Sequence, residues 1–322
     1  MVLHMKIAIV GFGVIGRVHF EVLQDLGYDV RAVCDVDYKL HDCLPNVPFY
    51  MDYFEMLEKE KPDVVHICTP HYLHEQMIIT ALNNNIHVLC EKPLCISKKG
   101  IERILQAEKE SKAQLGVCHQ NRYNPDSLFV KEYLSDKKVI GGHGSMLWHR
   151  DSKYYASSEW RGKWKTEGGG VLINQALHTL DIMQWLLGFP KEVTASVSNL
   201  TLKNDIEVED TANLICYGNT DFSLFATNGS TCDLPIEIMI KTDKETISII
   251  DSKVLVGNSM YDFHDDVFLG KPCYGSGHFN LISDFYDCIK TGRKFEIDGQ
   301  ESSKVIKIIL SAYESDGKRI KI

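Results

Sequence analysis

Short apolar runs alternate with longer amphipathic segments over the first 120 residues of the chain. The apolar runs have the length of buried strands and lie at Lys6–Val10, Val30–Cys34, Val64–Cys68, His87–Cys90 and Gln114–Cys118. Helix-like segments separate them, at Val14–Leu26, Tyr53–Lys59, Leu73–Asn84 and Ser97–Ser111. Near-continuous apolar strands between helices indicate a parallel sheet that is covered on both faces. The pattern therefore predicts a doubly wound α/β domain.

The pattern changes beyond about residue 137, where β-prone segments follow one another with little helix between most of them. They lie at Val139–Trp148, Glu192–Ser198, Asn213–Tyr217, Phe222–Thr227, Ile236–Thr242 and Thr246–Ile250, with helices predicted at Val171–Leu187, His278–Thr291 and Glu301–Ser315. Short links such as Gly218–Asp221 are typical of hairpins. We therefore predict an α+β second domain with a mostly antiparallel sheet. Residues 1–121 and 122–322 would form the two domains, with a ligand in the cleft between them.

Composition and charge exclude several classes of partner. Thirty-five Lys and Arg against 44 Asp and Glu give the 322 residues a net charge of −9, which leaves no basic stripe for nucleic acid or an anionic membrane. No apolar run approaches the ~20 residues of a transmembrane helix, and the first residues lack the features of a signal peptide. None of the ten cysteines has CxxC or zinc-finger spacing, so we expect free thiols, no metal site and a cytoplasmic protein.

A glycine-rich motif follows the first predicted strand. Its residues, Gly11-Phe12-Gly13-Val14-Ile15-Gly16, have the pattern GxGxxG. The pattern is weak alone, but its place between a strand and a helix makes it specific for a dinucleotide. Gly11 permits the tight turn, Gly13 lets the backbone approach a pyrophosphate, and Gly16 lets helix and strand pack closely. The helix N-terminus then offers N–H groups and a positive dipole end to the phosphates.

An acidic residue ends the second predicted strand. Asp35 lies 19 residues after Gly16, where a carboxylate accepts hydrogen bonds from ribose hydroxyls and repels a 2′-phosphate. Asp37 adds a second negative charge, and no Arg follows within the next few positions. The sequence therefore favours NAD(H) over NADP(H).

The third strand of the predicted sheet ends in residues that are candidates for cofactor binding. Ligands of doubly wound folds bind at this carboxyl edge of the sheet, and Thr69 and Pro70 are placed to flank the nicotinamide end of the dinucleotide. His71 and His74 follow at a helix start. Taken alone, each histidine suits a surface or capping role better than catalysis.

Two further groups of residues are candidates for the chemistry itself. Lys92 follows Glu91 at the next predicted strand end, in a position that points toward a cleft, although taken alone such a lysine is more often solvated. In the second half, a triple glycine precedes Asn174, His178 and Asp181, whose spacing of i, i+4 and i+7 puts them on one face of the predicted helix. An amide, an imidazole and a carboxylate on one stripe form a candidate general acid/base with orienting partners. Polar packing alone explains the stripe equally well when the other motifs are set aside.

Further motifs follow in the chain, and together they carry a resemblance to a known family. The full series is GFGVIG, Asp35, CTPxxxH (68–74), EKPL (91–94), QNRYNP (120–125), WRGKW (160–164), GGGVLINQALHTLD (168–181) and the closing segments at 278–297 and 312–318. In this order the motifs resemble the Gfo/Idh/MocA dehydrogenases over essentially the whole chain. The resemblance implies an N-terminal Rossmann domain and a C-terminal α+β domain with an open, mostly antiparallel sheet. It also implies homodimers or homotetramers that form through that sheet.

The resemblance also implies roles for single residues. Lys92 would lie near the nicotinamide and the reacting carbon–oxygen group, His178 would donate or accept the proton, and Asn121 would contact the nicotinamide end. The implied cofactor contacts are Gly11, Phe12, Gly13, Val14, Ile15, Gly16, Asp35, Thr69, Pro70, His71, His74, Glu91, Lys92 and Asn121. The implied substrate contacts are Tyr154, Tyr155, Trp160, Arg161, Asn174, His178 and Asp181. Aromatic faces suit sugar rings and Arg161 suits a carboxylate or diphosphate, although simple packing explains each of these side chains equally well.

One position departs from the family pattern. Many polyol-oxidising relatives have Asp four residues before this histidine, whereas this chain has Asn174, which does not titrate. The Asn-Gln variant resembles the nucleotide-sugar branch and some reductase branches. Oxidation of simple inositol is therefore in doubt.

The sequence predicts an NAD-dependent oxidoreductase for a hydroxyl or keto group of a sugar, cyclitol or sugar derivative, including nucleotide-linked ones. His178 would take the hydroxyl proton while the Lys92 ammonium stabilises the alkoxide. Two alternatives on the same scaffold stay open: a non-catalytic NAD-binding regulator, and a redox-neutral glycosidase with a tightly held NAD. Reduction of a non-sugar carbonyl and oxidation of an aromatic dihydrodiol stay open as well.

Overall fold

Six parallel strands form the first sheet of the protein. They are β1 (Ile7–Val10), β2 (Val30–Cys34), β3 (Phe49–Tyr50), β4 (Val64–Ile67), β5 (His87–Glu91) and β6 (Leu115–Cys118). Their helices are α1 (Val14–Asp25), α2 (Tyr53–Glu60), α3 (His71–Asn83) and α4 (Lys98–Glu110). The strand order is β3–β2–β1–β4–β5–β6, with β1 paired to both β2 and β4. Doubly wound folds bind ligands where the order reverses in this way, outside the carboxyl ends of the strands.

The predicted doubly wound α/β architecture is confirmed. Every residue of β1, β4 and β6 is buried, as strands with helices on both faces must be. The predicted strands and helices of this sheet are present, with ends that differ by no more than two residues. Strand β3 was not predicted, because two residues are too short to show a pattern.

The computed structural model describes residues 5–44, 46–264 and 276–322, and the chain divides into two compact units. The first unit contains the described residues up to Cys95, then Lys99–Tyr123, and then those from 276 to Ser303. Helix α8 (Gly277–Thr291) therefore belongs to the unit of the parallel sheet, where Phe285 packs against Gly116. The division into domains of residues 1–121 and 122–322 stays a prediction. The sequence analysis did not predict that α8, which follows the strands of the second unit in the chain, belongs to the first unit.

The second unit is built on a nine-stranded sheet. Its strands are β7 (Val139–Leu147), β8 (Glu192–Ser198), β9 (Thr211–Tyr217), β10 (Asp221–Thr227), β11 (Glu237–Thr242), β12 (Thr246–Ile250), β13 (Lys253–Val256), β14 (Ser259–Asp262) and β15 (Ile320–Lys321). The remaining helices are α5 (Pro125–Tyr133), α6 (Ser152–Ala156), α7 (Leu177–Leu187) and α9 (Gly299–Ser315). The boundary between the two units lies within α9. The strand order is β14–β13–β12–β11–β7–β10–β9–β8–β15, and β7–β10 is the parallel pair. The predicted, mostly antiparallel sheet is confirmed, as is the β9–β10 hairpin.

Helix α7 covers one face of this sheet. A Cβ at Gly142 would lie 2.6 Å from Leu187, and a Cβ at Gly144 would lie 2.5 Å from Met183, so the glycines of β7 let α7 approach closely. Burial alternates along β11, as expected for a sheet with one covered face and one open face. The open face exposes several large apolar side chains.

The predicted helix at Val171–Leu187 is wrong at its start. Residues 171–176 form turns, and the helix begins at Leu177. The N–H groups of Val171 and Leu172 donate to the main-chain oxygen and to Oε1 of Glu209, at 3.1 and 3.0 Å. A residue distant in sequence thus holds the start of this segment, and the segment forms turns before the helix. Asn174 therefore precedes the helix that carries His178 and Asp181, instead of sharing a face of it.

Several short elements were not predicted, namely α5, α6, β13, β14 and β15. None of the nine described cysteines forms a disulfide with another, and Cys34, Cys68, Cys90 and Cys118 are buried, as predicted. Within the described ranges, no helix combines the length and the apolar character needed to cross a membrane.

Candidate active site

The loop between β1 and α1 requires glycine at two positions and is open at a third. Gly11 has a φ of +87°, and a Cβ there would lie 2.5 Å from the carbonyl oxygen of Cys68. A Cβ at Gly16 would lie 2.0 Å from the carbonyl oxygen of Gly11, so only glycine lets α1 pack this closely. A Cβ at Gly13 would meet nothing within 4 Å. The backbone at Gly13 is therefore accessible to a ligand.

The N-terminus of α1 suits an anion. Its N-cap, Gly13, makes no side-chain hydrogen bond, and the first turn contains no acidic residue. Helix N-terminal N–H groups and the positive end of the dipole then act on whatever lies before the helix. Val14 is 63% exposed at this point. The loop and helix together fit the pyrophosphate of a dinucleotide.

The carboxylate of Asp35 is held by two main-chain donors. The N–H of Phe12 donates to Oδ2 at 2.6 Å, and the N–H of Asp37 donates to Oδ1 at 2.9 Å. The first bond joins the residue after β2 to the glycine loop, so the carboxylate lies beside that loop. Its remaining lone pairs are suited to ribose hydroxyls. Asp37 is exposed, and its carboxylate accepts from the N–H of Lys39 at 3.1 Å.

Two exposed apolar residues beside Asp35 were missed by the sequence analysis. Val36 is 83% exposed and Tyr38 is 57% exposed. Apolar side chains grouped on a surface beside a polar anchor are typical of a ligand-binding surface. We interpret them as a surface for the adenine end of the dinucleotide. The available signal was an apolar residue between two aspartates, after the strand had ended.

His71 and His74 start α3, and both are buried. The ring of His74 contacts the carbonyl oxygen of Pro93 through Nδ1 at 2.7 Å and that of Thr69 through Nε2 at 2.8 Å. It therefore connects the loop after β4 to the loop after β5. His74 acts on the sheet edge by fixing these two loops, and direct cofactor contacts of either histidine stay predictions.

A buried network of ring nitrogens behind Glu91 was not predicted. The Tyr286 hydroxyl lies 2.9 Å from Nε2 of His66, and Nδ1 of His66 lies 2.8 Å from Nδ1 of His19. Nε2 of His19 lies 3.1 Å from Oε1 of Glu91, and the same oxygen lies 3.2 Å from Nε2 of His278. Within the described ranges, His19, Glu91 and His278 are the three potential metal ligands whose donor atoms all lie within 4.8 Å of one another.

One assignment of protons satisfies this network with neutral rings. Tyr286 donates to His66, His66 donates to His19, and His19 donates to Glu91. Burial lowers the pKa of His19 and of His66, which agrees with neutral rings. Although burial raises the pKa of Glu91, hydrogen bonds from His19 and His278 hold it well below its usual range. The network therefore keeps an anionic Glu91 at the end of β5, directly before Lys92.

Lys92 and Asn121 follow β5 and β6 in the first unit. Lys92 is half-buried, and its peptide bond to Pro93 is cis. Asn121 lies in a 3₁₀ turn at Gln120–Tyr123, and its buried Oδ1 has no hydrogen-bond partner among the described residues. Buried amide oxygens without a partner are uncommon. This atom therefore suits a donor on a ligand, such as a carboxamide.

The triple glycine of the second unit, in contrast, is enclosed by protein. Cβ atoms at residues 168, 169 and 170 would lie 2.5 Å from Ile96, 2.0 Å from the Tyr313 hydroxyl and 1.9 Å from the main-chain oxygen of Glu209. Two of these glycines also have positive φ, +85° at Gly168 and +152° at Gly169. Packing of this segment therefore requires glycine at all three positions.

Glu209 is a buried carboxyl group that the sequence analysis missed. Its Oε2 accepts from the N–H of Gly170 at 2.8 Å, and its Oε1 accepts from the N–H of Leu172 and the hydroxyl of Tyr313 at 3.0 and 2.8 Å. Burial raises the pKa of Glu209 to about 7, although these hydrogen bonds lower it. No local pattern in the sequence marks this residue.

The three residues of the predicted polar stripe have different environments. Asn174 lies in the turn before α7, and its Nδ2 donates to Oε1 of the buried Glu167 at 2.6 Å. His178 is half-buried in the first turn of α7. Asp181 is buried one turn further on and accepts from Nε2 of Gln184 at 3.2 Å. His178 and Asp181 thus share the helix, while Asn174 is paired with a glutamate that was not predicted.

The two predicted tyrosines have different environments. Tyr155 is 4% exposed and packs in a small apolar cluster, and its contact with a substrate stays a prediction. Tyr154 is half-buried, and its hydroxyl accepts from Nε2 of Gln175 at 3.0 Å. Nδ2 of Asn228 donates to both Oε1 of Gln175 and the hydroxyl of Tyr155, at 3.0 and 2.9 Å. The network fixes the position of Tyr154 through Gln175.

The guanidinium of Arg161 lies close to two aromatic rings. Its guanidinium carbon is 4.5 Å from the ring centre of Tyr154 and 5.2 Å from that of Trp160, as in cation–π contacts. One nitrogen donates to Oγ of Ser157 at 2.8 Å. The buried Nε has no hydrogen-bond partner among the described residues. A guanidinium in this position suits an anionic group of a ligand.

Two family models match the chain, and together they cover more than half of it. Residues 5–119 match a model described as an oxidoreductase family with an NAD-binding Rossmann fold. Residues 137–247 match the GFO/IDH/MocA C-terminal domain.

Individual relatives agree with these models. The inositol 2-dehydrogenase of Salmonella typhimurium is 30% identical over 193 residues. These residues are 57% of this chain and 54% of the relative. The chain thus spans about half the length of the curated relatives it matches. The WlbA dehydrogenase from Bordetella pertussis, in complex with NADH and UDP-GlcNAcA, is 25% identical with a TM-score of 0.86 over 99% of this chain and 98% of that one. An oxidoreductase from Agrobacterium radiobacter, in complex with NAD+, L-tartaric acid and magnesium, is 19% identical with a TM-score of 0.87 over 99% and 98% of the two chains, and shows the fold alone. The first unit is therefore an NAD-binding Rossmann domain, and the chain belongs to the Gfo/Idh/MocA oxidoreductase family.

Proposed function

We propose that the protein transfers hydride between NAD(H) and a hydroxyl or keto group of a sugar, cyclitol or sugar derivative. The observation that carries the proposal is the Asp35 carboxylate, which the N–H of Phe12 holds beside the open glycine loop at 2.6 Å. An anchor for ribose hydroxyls beside a pyrophosphate site fits NAD(H) and opposes a 2′-phosphate. When bound, the nicotinamide supplies or accepts the hydride.

Lys92 and His178 are the residues that we assign to the reacting carbon–oxygen group. During oxidation, His178 takes the proton of the substrate hydroxyl, and the Lys92 ammonium stabilises the negative charge that develops on the oxygen. During reduction, the same groups act in reverse. The anionic Glu91, held by His19 and His278, fixes the strand end that precedes Lys92.

The remaining contacts of the nicotinamide end come from strand ends of the first unit. Thr69 and Pro70 follow β4, and their loop is connected to the loop of Pro93 through the ring of His74. Asn121 is assigned to the carboxamide because its buried Oδ1 requires a donor.

The class of substrate is proposed from the second unit. Tyr154 offers a half-buried aromatic ring to a sugar, and Arg161 beside it offers a cation to a carboxylate or diphosphate. Because the Bordetella relative was crystallised with UDP-GlcNAcA, a nucleotide-linked uronic acid is the first compound to test. Inositol, named in the Salmonella relative, is the second.

We also propose that two copies of the chain associate through the open face of the nine-stranded sheet. Cross-strand pairing places Ile215, Ser223, His143 and Met239 in one row across β9, β10, β7 and β11. Ile215 and Met239, the apolar members of this row, are 41% and 48% exposed, and large apolar side chains exposed on the open face of a sheet are typical of an interface. Light scattering of the wild type and of a Met239→Glu variant tests this, and a wild-type monomer at micromolar concentration would contradict it.

The experiment that tests the activity follows NADH absorbance with a panel of substrates in both directions. We expect turnover with one of the nucleotide-linked sugars, uronic acids, sugars or inositols. The Lys92→Ala variant should lose kcat by at least about 100-fold while its NADH affinity stays within about threefold, since the ammonium acts on developing charge. Lys99→Ala, at an exposed position, is the matched control and should retain full turnover. Near-normal turnover of Lys92→Ala would remove Lys92 from the mechanism.

A further inference from the structure

Helix α8 contributes both ends of the buried network behind Glu91. His278, in the first turn of the helix, places Nε2 3.2 Å from Oε1 of Glu91. Tyr286, two turns later, places its hydroxyl 2.9 Å from Nε2 of His66. His19 joins the two halves, with Nε2 3.1 Å from the same oxygen of Glu91 and Nδ1 2.8 Å from Nδ1 of His66. These five side chains, the α8 network, therefore begin and end on one helix.

The α8 network connects the elements of the first unit to which we assign the cofactor. His66 belongs to β4, which leads to the loop at the nicotinamide end, and Glu91 ends β5 directly before Lys92. His19 belongs to α1, which begins at the glycine loop. All five side chains of the network are at most 6% exposed. Because a buried polar group that loses its partner is costly, each link of the network constrains the next.

The charge of Glu91 determines where every proton of the network lies. An ionised carboxylate only accepts hydrogen bonds, so Nε2 of His19 and Nε2 of His278 must both donate to it. A neutral His19 then accepts at Nδ1, and His66 must donate from Nδ1 and accept at Nε2. Tyr286 is left as the donor to His66. Burial raises the pKa of Tyr286 well above its usual range, which agrees with a hydroxyl that keeps its proton.

We propose that Tyr286 and His278 are positioning residues for Lys92, because they tie α8 to the strand end that carries this lysine. The inference deepens the proposed function and rests on it. Its reach is about 12 Å along α8, since eight residues separate the two side chains and each residue rises about 1.5 Å.

The residues on the two sides of Lys92 are held separately. Glu91, before it, belongs to the α8 network. After it, the carbonyl oxygen of Pro93 lies 2.7 Å from Nδ1 of His74. A loss in the α8 network therefore frees one side of Lys92 and leaves the other side held.

The proton order is tested first, by NMR of isotope-labelled histidines in the full chain without substrate. We expect His66 to carry its proton on Nδ1 and His19 to carry its proton on Nε2. Tyr286→Phe should release the Nδ1–H form of His66, since Nε2 then loses its donor. The matched control is Tyr28→Phe, whose ring centre lies 4.4 Å from that of Tyr286 and whose hydroxyl is outside the network. It should leave the protonation of His66 unchanged.

The positioning role is tested by kinetics with the substrate found in the panel. Tyr286→Phe and His278→Leu should lower kcat about fivefold or more with KM within about threefold, because Lys92 acts on charge that develops after binding. His278→Gln should keep kcat within about twofold of the wild type, since its NH₂ group donates to Glu91 in place of the imidazole. Tyr28→Phe should also keep its kcat.

Urea unfolding of each variant separates loss of folding from loss of positioning. If Tyr286→Phe or His278→Leu does not fold, the wild-type spectra and the retained kcat of His278→Gln still decide the inference. A wild-type His66 with its proton on Nε2, a Tyr286→Phe variant with unchanged kcat, or a His278→Gln variant as impaired as His278→Leu would overturn it. One equivalent of zinc in the purified protein would overturn the proton order as well, because the ion would replace the protons between His19, Glu91 and His278. Failure of the proposed function has a different signature, since the spectra need no substrate and the wild type would then turn over no member of the panel.

Discussion

The two glycine-rich segments of this protein each contain three glycines, but the surroundings of those glycines are opposite. In the first unit, the loop of Gly11, Gly13 and Gly16 is tight at its ends and open in the middle, where a Cβ would meet nothing within 4 Å. In the second unit, Cβ atoms at residues 168–170 would all lie within 2.5 Å of protein atoms. One segment is glycine-rich where a ligand is expected, and the other is glycine-rich because the protein itself fills the space.

This difference shows when a glycine-rich motif is sufficient to predict the structure around it. The spacing GxGxxG describes mostly local geometry, since Gly16 packs against Gly11 of the same motif and Gly11 itself approaches Cys68 at the end of the adjacent strand β4. The triple glycine depends on Ile96, Tyr313 and Glu209, which are distant in sequence. A motif therefore predicts its structure well when the constraints are local, and poorly when they come from elsewhere in the chain.

The largest effects are expected from Gly→Ala substitutions, which should lower the stability of the protein in the enclosed segment and its affinity for NADH in the open segment. Gly170→Ala puts a Cβ 1.9 Å from a main-chain oxygen, so we expect a loss of about 4 kcal/mol or failure to fold. Gly13→Ala should change the free energy of unfolding by less than about 1 kcal/mol, but weaken NADH binding tenfold or more, because the methyl group occupies the approach to the pyrophosphate. Urea unfolding and NADH fluorescence titration measure the two quantities. Unchanged NADH binding by Gly13→Ala would contradict our interpretation of the loop.

The same distinction explains how much of the fold was predicted. Helices α1 and α8 were located to within one residue at each end, because apolar spacing and flanking turns are local signals. Helix α7 was predicted six residues too early, because the segment before it is held by contacts with Glu209, which is distant in sequence. The two-residue strands β3 and β15 were missed because two residues carry too little pattern, whereas the four-residue strands β1, β4 and β6 were found because all their residues are apolar or buried.

The residues of the candidate site likewise divide into those that a local sequence pattern predicts and those that only the fold brings together. Asp35 was predicted from its spacing after the glycines, and the structure places its carboxylate beside the loop. Glu167 and the histidine network behind Glu91 were not predicted, because their partners are brought together by the fold alone. An acidic residue directly before a triple glycine is visible in the sequence, but nothing local indicates that it binds Asn174.

A second prediction concerns the pH dependence of stability in the enclosed segment. Burial raises the pKa of Glu209 to about 7 in the folded protein, against an ordinary value of 4.5. The folded state thus binds the proton more tightly, so this contribution to stability is complete below about pH 4.5 and is lost as the pH rises through 7. The full difference is about 3 kcal/mol. Urea unfolding at pH 5 and pH 8 measures it.

The Glu209→Gln variant isolates this contribution. It should remove most of the loss of stability between pH 5 and pH 8, since glutamine does not titrate. Glu207→Gln, at an exposed position two residues earlier, is the control and should leave the pH dependence unchanged. A Glu209→Gln variant with the slope of the wild type would show that the three hydrogen bonds outweigh burial and keep this carboxylate ionised.

The smallest effect is expected in the open segment, where Asp35 and Asp37 differ in what they contact. Asp35 is joined to the glycine loop through Phe12, whereas the exposed Asp37 caps the N–H of Lys39. Asp35→Asn should weaken NADH binding roughly 10- to 100-fold, as loss of charged hydrogen bonds to hydroxyls predicts. It should also narrow the preference for NADH over NADPH, because the repulsion of a 2′-phosphate is removed.

Asp37→Asn is the control and should change NADH affinity by less than about threefold, since the carboxylate of Asp37 is not joined to the loop. Fluorescence titrations with both cofactors separate the two residues. If Asp37→Asn has the larger effect, the ribose is held further from the glycine loop, and the contact between Phe12 and Asp35 serves the turn instead of the cofactor.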